Sequence, residues 1–226
     1  MVQSNTYVVG PEESREAIVI DPARGAVAGV LAYVRSEQLE VTAIVCTHRH
    51  FDHVSGNAAL KAATGASILA HEADAARFGR FSVTALLRTG KPAWSPKADR
   101  VLKDGDTVRA GAYEFEVIHH AGPHARRNLF EIQEESFTGD TLLAGSVGRT
   151  ETKEGSWEQL SQSIQDRIYV LSDDVQCWPG HGPRTNIGRE RRTNIFARHS
   201  PEVIERWLFG LSDRKRAAEE ESPQDA

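Results

Sequence analysis

Thr47-His48-Arg49-His50-Phe51-Asp52-His53 sets three imidazoles and one carboxylate within six residues, and the segment before it says where they stand. Val41 to Cys46 is a short run rich in β-branched residues that reads as a fully buried strand. The polar stretch therefore lies at a strand's C-terminal mouth, where open α/β sheets place their sites. Titratable groups packed this closely lose solvation, and a divalent cation satisfies neutral imidazole nitrogens and carboxylate oxygens together. A solvated histidine-rich turn is the plainer alternative, and it is the reading preferred for His71 or His199 standing alone. It is disfavoured here because further candidate ligands end later strand-like runs. His120 and His124 lie in His-Ala-Gly-Pro-His, Asp140 follows Phe-Thr-Gly, and His181 sits in Pro-Gly-His-Gly-Pro. So many candidates suit two metal ions rather than one. Imidazole and carboxylate without a cysteine motif favour Zn(II), Fe(II) or Mn(II) and argue against a structural thiolate site.

The 226 residues, 39% hydrophobic and 26% charged, fit a soluble globular domain able to bury a full core. A formal net charge of -5 gives no reason to expect a nucleic acid as partner. No stretch reaches membrane-spanning length, so no membrane partner is expected. The start Met1-Val2-Gln3-Ser4-Asn5 lacks the basic and apolar regions of a signal peptide, which makes the cytoplasm the default location. Cys46 and Cys177 each fall inside an apolar strand-like run and read as buried thiols, not as a disulfide.

Strand-like runs near 5–9, 16–20, 41–46, 67–70, 113–118, 128–132 and 174–178 alternate with helical stretches near 26–38, 55–64, 156–171 and 188–197. Gly65 reads as the stop of the helix that begins beside Ser55-Gly56. Residues 80–100 are poor in pattern and read either as a long loop near the site mouth or as an ordinary surface excursion. Pro201 to Arg216 reads as an amphipathic helix with Val203, Ile204, Trp207, Leu208 and Leu211 on one stripe. That stripe either docks on the body of the protein or pairs with a second copy as a homodimer. Ala217 to Ala226 is a short charged tail.

These motifs resemble the metallo-β-lactamase superfamily and, within it, the glyoxalase II (hydroxyacylglutathione hydrolase) branch. The resemblance runs from Ser4-Asn5-Thr6-Tyr7-Val8-Val9 through Ile18-Val19-Ile20-Asp21-Pro22 to Gly188-Arg189-Glu190 and Asn194. His-x-His-x-Asp-His is its most specific element. Phe137-Thr138-Gly139-Asp140-Thr141 with Gly148-Arg149-Thr150, and Pro179-Gly180-His181-Gly182-Pro183, tilt it toward glyoxalase II-like hydrolases. It implies a four-layer αββα sandwich of two mixed sheets flanked by helices, with residues 1–197 as the catalytic domain. Residues 198–226 add a C-terminal helix and tail that form no separate domain. Carried over by position, His48, His50 and His124 would hold a first ion, Asp52, His53 and His181 a second, and Asp140 would bridge them. His120 matches a less critical leading histidine. Zn is the first expectation for both ions, with Fe or Mn as alternatives.

The implied activity is hydrolysis of a small-molecule thioester, of the S-2-hydroxyacylglutathione type, by a hydroxide shared between two divalent ions roughly 3.5–4 Å apart. Asp52 would double as a proton acceptor, second to its role as a ligand. A thiolate leaves easily, its conjugate acid having a pKa of about 8.5. The chain departs from the family's usual His-Thr-Pro-Gly-His-Thr-Pro-Gly-Ser at His120-Ala121-Gly122-Pro123-His124-Ala125-Arg126-Arg127-Asn128. Arg126 and Arg127 then either grip a substrate carboxylate or are solvated surface charge, and Arg149 stands where relatives carry a cation near the thiol substrate. Glu151 replaces an aspartate often found there, and Lys153 is a further nearby cation. Competing readings are a single-iron persulfide dioxygenase, a lactone or β-lactam hydrolase, and a non-catalytic metal-binding protein.

Overall fold

In this computed structural model, the residues described are 4–82, 86–87, 93–119, 128–132, 134–148, 156–199 and 203–204. The first half of the chain runs β1 (Tyr7–Val9), β2 (Glu16–Ile20), α1 (Val27–Ser36), β3 (Glu40–Cys46), α2 (Phe51–Val54), α3 (Asn57–Thr64), β4 (Ser67–His71) and α4 (Glu72–Ala75). A small hairpin, β5 (Phe81–Ser82) with β6 (Ala93–Trp94), precedes β7 (Arg100–Leu102), β8 (Thr107–Ala110) and β9 (Tyr113–His119). The second half adds β10 (Asn128–Ile132), β11 (Glu135–Gly139), β12 (Leu142–Leu143), β13 (Ser146–Val147), α5 (Trp157–Ser163), β14 (Gln176–Pro179), β15 (Thr185–Asn186) and α6 (Ile187–Thr193).

One sheet has the order β1-β2-β3-β4-β7, and the other β15-β14-β11-β10-β9-β8. In the first, β2, β3, β4 and β7 run parallel, and their burial explains their composition. Ala17, Ile18, Val19 and Ile20 are all at most 1% exposed, as a parallel strand covered on both faces requires. Ile18, Ile20, Val45, Leu69 and Leu102 face Phe115, Val117, Phe130 and Phe137 of the second sheet and close the central core. Val19, Ile44 and Ile68 point the other way, against Val30 and Val34 of α1 and Leu60 of α3. Behind the second sheet, Cys177 packs with Leu160 of α5, Ile164, Ile168 and Ile187 of α6. Three apolar interfaces thus separate four layers, helix, sheet, sheet and helix, which is the αββα sandwich.

Most elements fall where the sequence places them. Gly65 ends α3 with φ 75°, a conformation that glycine adopts without strain. Cys46 and Cys177 are buried free thiols, and burial raises both pKa values, that of Cys177 to about 12. Residues 80–100 are not patternless: Phe81 pairs with Trp94 across an antiparallel hairpin, and Arg100 begins a strand of the first sheet. Of the amphipathic stretch Pro201 to Arg216, only Val203 and Ile204 lie among the described residues, and the Ala217 to Ala226 tail lies outside them. No helix among the described residues is long and apolar enough to cross a membrane.

Phe115 is 0% exposed at the centre of the inter-sheet core. Phe115→Ala should cost about 3–5 kcal/mol, because the cavity it leaves can only partly collapse. Urea unfolding would show this as a lower midpoint at unchanged slope.

Candidate metal centre

Six of the predicted site residues meet at one end of the sandwich. His48, His50, Asp52 and His53 follow the C-terminal end of β3, with α2 carrying the last two. Asp140 follows β11 and His181 follows β14, and those two strands are parallel neighbours, so their ends deliver both residues side by side. The Gly180 N–H donates to the Gly139 carbonyl at 2.7 Å and fixes that adjacency.

The candidate ligand atoms form two groups. His48, His50 and Asp140 make one, and Asp52, His53 and His181 the other. His48 Nε2 lies 2.8 Å from His50 Nδ1, and His53 Nε2 lies 3.2 Å from His181 Nε2. Asp140 connects the groups. Its Oδ2 is 3.6 Å from His48 Nε2, whereas its Oδ1 is 3.4 Å from His53 Nε2 and 3.5 Å from His181 Nε2. Asp52 Oδ2 stands 3.4 Å from His181 Nε2.

Protonation states follow from the hydrogen bonds around the groups. Asp21 is 2% exposed and its carboxylate accepts from the Thr47 N–H at 2.8 Å, from Thr47 Oγ1 at 2.6 Å and from His53 Nδ1 at 2.9 Å. With Nδ1–H given to Asp21, the Nε2 of a neutral His53 presents its lone pair to the site. Thr47 Oγ1, having donated to Asp21, accepts from His48 Nδ1 at 3.0 Å, which turns the His48 Nε2 lone pair inward as well. A third cluster of possible ligands, Asp21, His48 and His53, therefore reads as orientation, because its carboxylate oxygens are already engaged.

The donor set fits a cation. Asp140 Oδ1 is buried and has no hydrogen-bond donor among the described residues. Lone pairs and carboxylate oxygens converge there, and acceptors facing one another need positive charge between them. Burial opposes charge on the His53 ring, yet Asp21, with Asp140 and Asp52 beyond it, holds its pKa up at about 9. A site that draws a proton onto an imidazole of 0% exposure is one that favours positive charge. Burial also works against the Asp52 carboxylate, but the hydrogen bond from His181 and the field of His53 hold its pKa below the usual range.

Several supporting residues stand in motifs of the sequence, but their roles appear only in the fold. Gly180 is one: a Cβ there would lie 2.5 Å from Asp140 Oδ1 and 2.7 Å from His53 Cε1. The N-terminal segment is another. Asn5 donates from Nδ2 to the Pro179 and Gly182 carbonyls at 2.9 and 2.8 Å, and the Tyr7 hydroxyl donates to Pro179 O at 2.7 Å. Ser4 Oγ donates to the Asp52 carbonyl at 2.7 Å, so one short stretch ties down the loops of both Asp52 and His181. The sequence-predicted His120, His124, Arg126, Arg127 and Arg149, together with Glu151 and Lys153, lie outside the described residues.

The family model described as the metallo-beta-lactamase superfamily matches residues 1–181. The chain belongs to the metallo-beta-lactamase superfamily. Within that superfamily it is 30% identical over 204 residues to the hydroxyacylglutathione hydrolase GloC of Haemophilus influenzae, covering 86% of this chain and 92% of that protein. It is also 30% identical over 178 residues to the mitochondrial persulfide dioxygenase ETHE1 of Homo sapiens, covering 78% of this chain and 63% of that protein. The solved structure of TTHA1623 in a di-iron-bound form superposes with a TM-score of 0.74 at 31% identity, covering 86% of this chain and 96% of that one. Relatives in the superfamily thus include both a hydrolase and a dioxygenase.

Two substitutions probe the supporting contacts. Gly180→Ala should lower metal affinity by about 10-fold or more while leaving the far-ultraviolet circular dichroism unchanged, because its methyl group displaces Asp140 and His53. Asp21→Asn should weaken metal binding by about 10–100-fold, since an amide offers only one accepting oxygen to donors that now engage two. Chelator competition on the purified proteins measures both.

Proposed function

We propose that this protein is a two-metal hydrolase of acyl thioesters, with a glutathione thioester of the S-2-hydroxyacyl type as its substrate class. The observation that carries the reading is the placement of Asp140, whose two oxygens face different ligand groups, Oδ2 toward His48 and Oδ1 toward His53 and His181. The second group of three ligand atoms gives a second ion a place to bind. His48, His50 and, by sequence position, His124 would hold one ion, and Asp52, His53 and His181 the other. Zn(II) suits the ligands, and Fe(II) or Mn(II) suits them too. Divalent ions in such a site bring the pKa of a bound water to about 7 and polarise an acyl carbonyl.

The residues around that chemistry have separable tasks. Asp21 and Thr47 keep the His53 and His48 lone pairs aimed inward, so the site needs no reorganisation before it binds. Asp52 is a carboxylate, ionised at neutral pH, and can accept a proton from an attacking water. A thiolate leaving group asks little of a general acid, its conjugate acid having a pKa of about 8.5. Arg126, Arg127 and Arg149 are the cations proposed to hold substrate carboxylates, on the strength of their sequence positions. Similarity to GloC over 92% of that protein's length supports the thioester. The equal identity to ETHE1 supports a second reading, a persulfide dioxygenase.

Metal analysis and activity on protein purified without chelators decide between them. The expected result is about two Zn, Fe or Mn ions per chain, hydrolysis of S-lactoylglutathione, and loss of both on chelation. Asp140→Ala should cut turnover by two or more orders of magnitude and lower metal content, because it removes the group shared by both ion sites. One iron per chain with oxygen uptake on glutathione persulfide would overturn the hydrolase and favour the dioxygenase.

A further inference from the structure

The segment His71-Glu72-Ala73-Asp74 supplies no ligand, yet it touches both sides of the site. Asp74, 2% exposed, accepts the backbone N–H of Arg49 on Oδ2 at 3.0 Å and faces Arg49 Nε from Oδ1 at 3.2 Å. Arg49 stands between His48 and His50, so the peptide that Asp74 holds sets the direction of both imidazoles. A carboxylate this deeply buried is tolerated only where donors compensate it, and part of that compensation is the ligand turn itself.

His71 works on the opposite side. Its Nδ1 accepts from the Ala73 N–H at 3.2 Å and starts α4, the turn that carries Asp74. Its ring stacks on His119 with centroids 3.8 Å apart and planes 12° apart. His71 ends β4 in the first sheet and His119 ends β9 in the second, so the stack joins the two sheets at the site end of the sandwich. The His119 N–H donates to Asp104 Oδ1 at 2.8 Å, and Asp104 also holds Arg167, which fixes that strand end from below. Burial first, then the neighbouring His119, lower the His71 pKa to about 4, so its ring is neutral at pH 7 and Nδ1 remains an acceptor.

We propose that His71 and Asp74 are positioning residues: a brace that sets the His48–His50 turn against the end of β9, the strand that leads in sequence to His120 and His124. This inference rests on the reading of His48 and His50 as metal ligands. Metal affinity depends on ligands being held in place before the ion arrives, and partners one step removed from the ion carry much of that ordering.

The test uses the full-length metal-loaded protein, with Zn(II) affinity measured by chelator competition and the visible absorption of the Co(II)-substituted form as a second readout. Asp74→Ala should weaken Zn(II) binding by about 10–100-fold and change the Co(II) spectrum. Asp74→Asn should recover part of the affinity, because its amide oxygen still accepts the Arg49 N–H, and it decides the matter if Asp74→Ala does not fold. His71→Asn keeps an acceptor but loses the stack, and His71→Phe keeps a stacking ring but loses the acceptor for the Ala73 N–H, so each should bind Zn(II) more weakly than wild type. Wild-type affinity and an unchanged Co(II) spectrum in both Asp74 variants would overturn the brace, even if unfolding stability fell. A wild-type protein that binds no metal would instead overturn the metal reading beneath it.

Discussion

The Asp21 carboxylate, almost fully buried and surrounded by donors from Thr47 and His53, is the interaction on which the geometry of the site depends. It acts at the end of β2, a strand buried on both faces, and its position is fixed by backbone bonds rather than by its side chain. The Asp21 N–H donates to the Val45 carbonyl at 3.0 Å, and the Asp21 carbonyl accepts from Thr6 Oγ1 at 2.8 Å. Its φ of 50° lies in the left-handed region, which costs about 1–2 kcal/mol for a residue with a Cβ and less for aspartate than for most. Those bonds hold the strain in place, and the gain is one anion that determines the tautomer of two separate imidazoles.

The candidate ligands were legible in the sequence because metal chemistry is written in residue type and short spacing. His48, His50, Asp52 and His53 share one turn, and Asp140 and His181 end apolar runs. The layers were legible for a related reason: buried parallel strands such as Ala17 to Ile20 leave an uninterrupted apolar signature. What escaped depends on contacts between distant parts of the chain. Asp21 stands in the sequence only as part of the Ile18-Val19-Ile20-Asp21-Pro22 motif, and its contacts with Thr47 and His53 belong to the folded chain. Nothing near Gly180 in sequence announces that a Cβ there would strike Asp140. The β5–β6 hairpin consists of two-residue strands, too short for periodicity to register, and β7 and β8 are short strands that the polar residues around them disguise.

Identity alone does not divide the superfamily at this point, since a hydrolase and a dioxygenase stand equally near in sequence. The same sandwich serves both, so function has to be argued from the site. The second group of candidate ligands is the part of the site that separates a two-ion from a one-ion reading. Its three members come from α2 and from the loop after β14, and that loop is tied to the N-terminal segment through Asn5 and Tyr7. Ser4 reaches from the same segment to the Asp52 carbonyl. Ser4, Asn5 and Tyr7 are thus part of the site's construction.

His53 and His181 are 128 positions apart, and their ring nitrogens meet at 3.2 Å. An ion held by both would act as a cross-link closing a loop that spans more than half the chain and joins the first sheet to the second. Closing a loop of that length is entropically unfavourable in the unfolded chain, so such a link adds most to stability when the rest of the sandwich is already assembled. Occupancy of the centre would then report on the integrity of the whole molecule, because neither half of the chain carries a complete set of ligands.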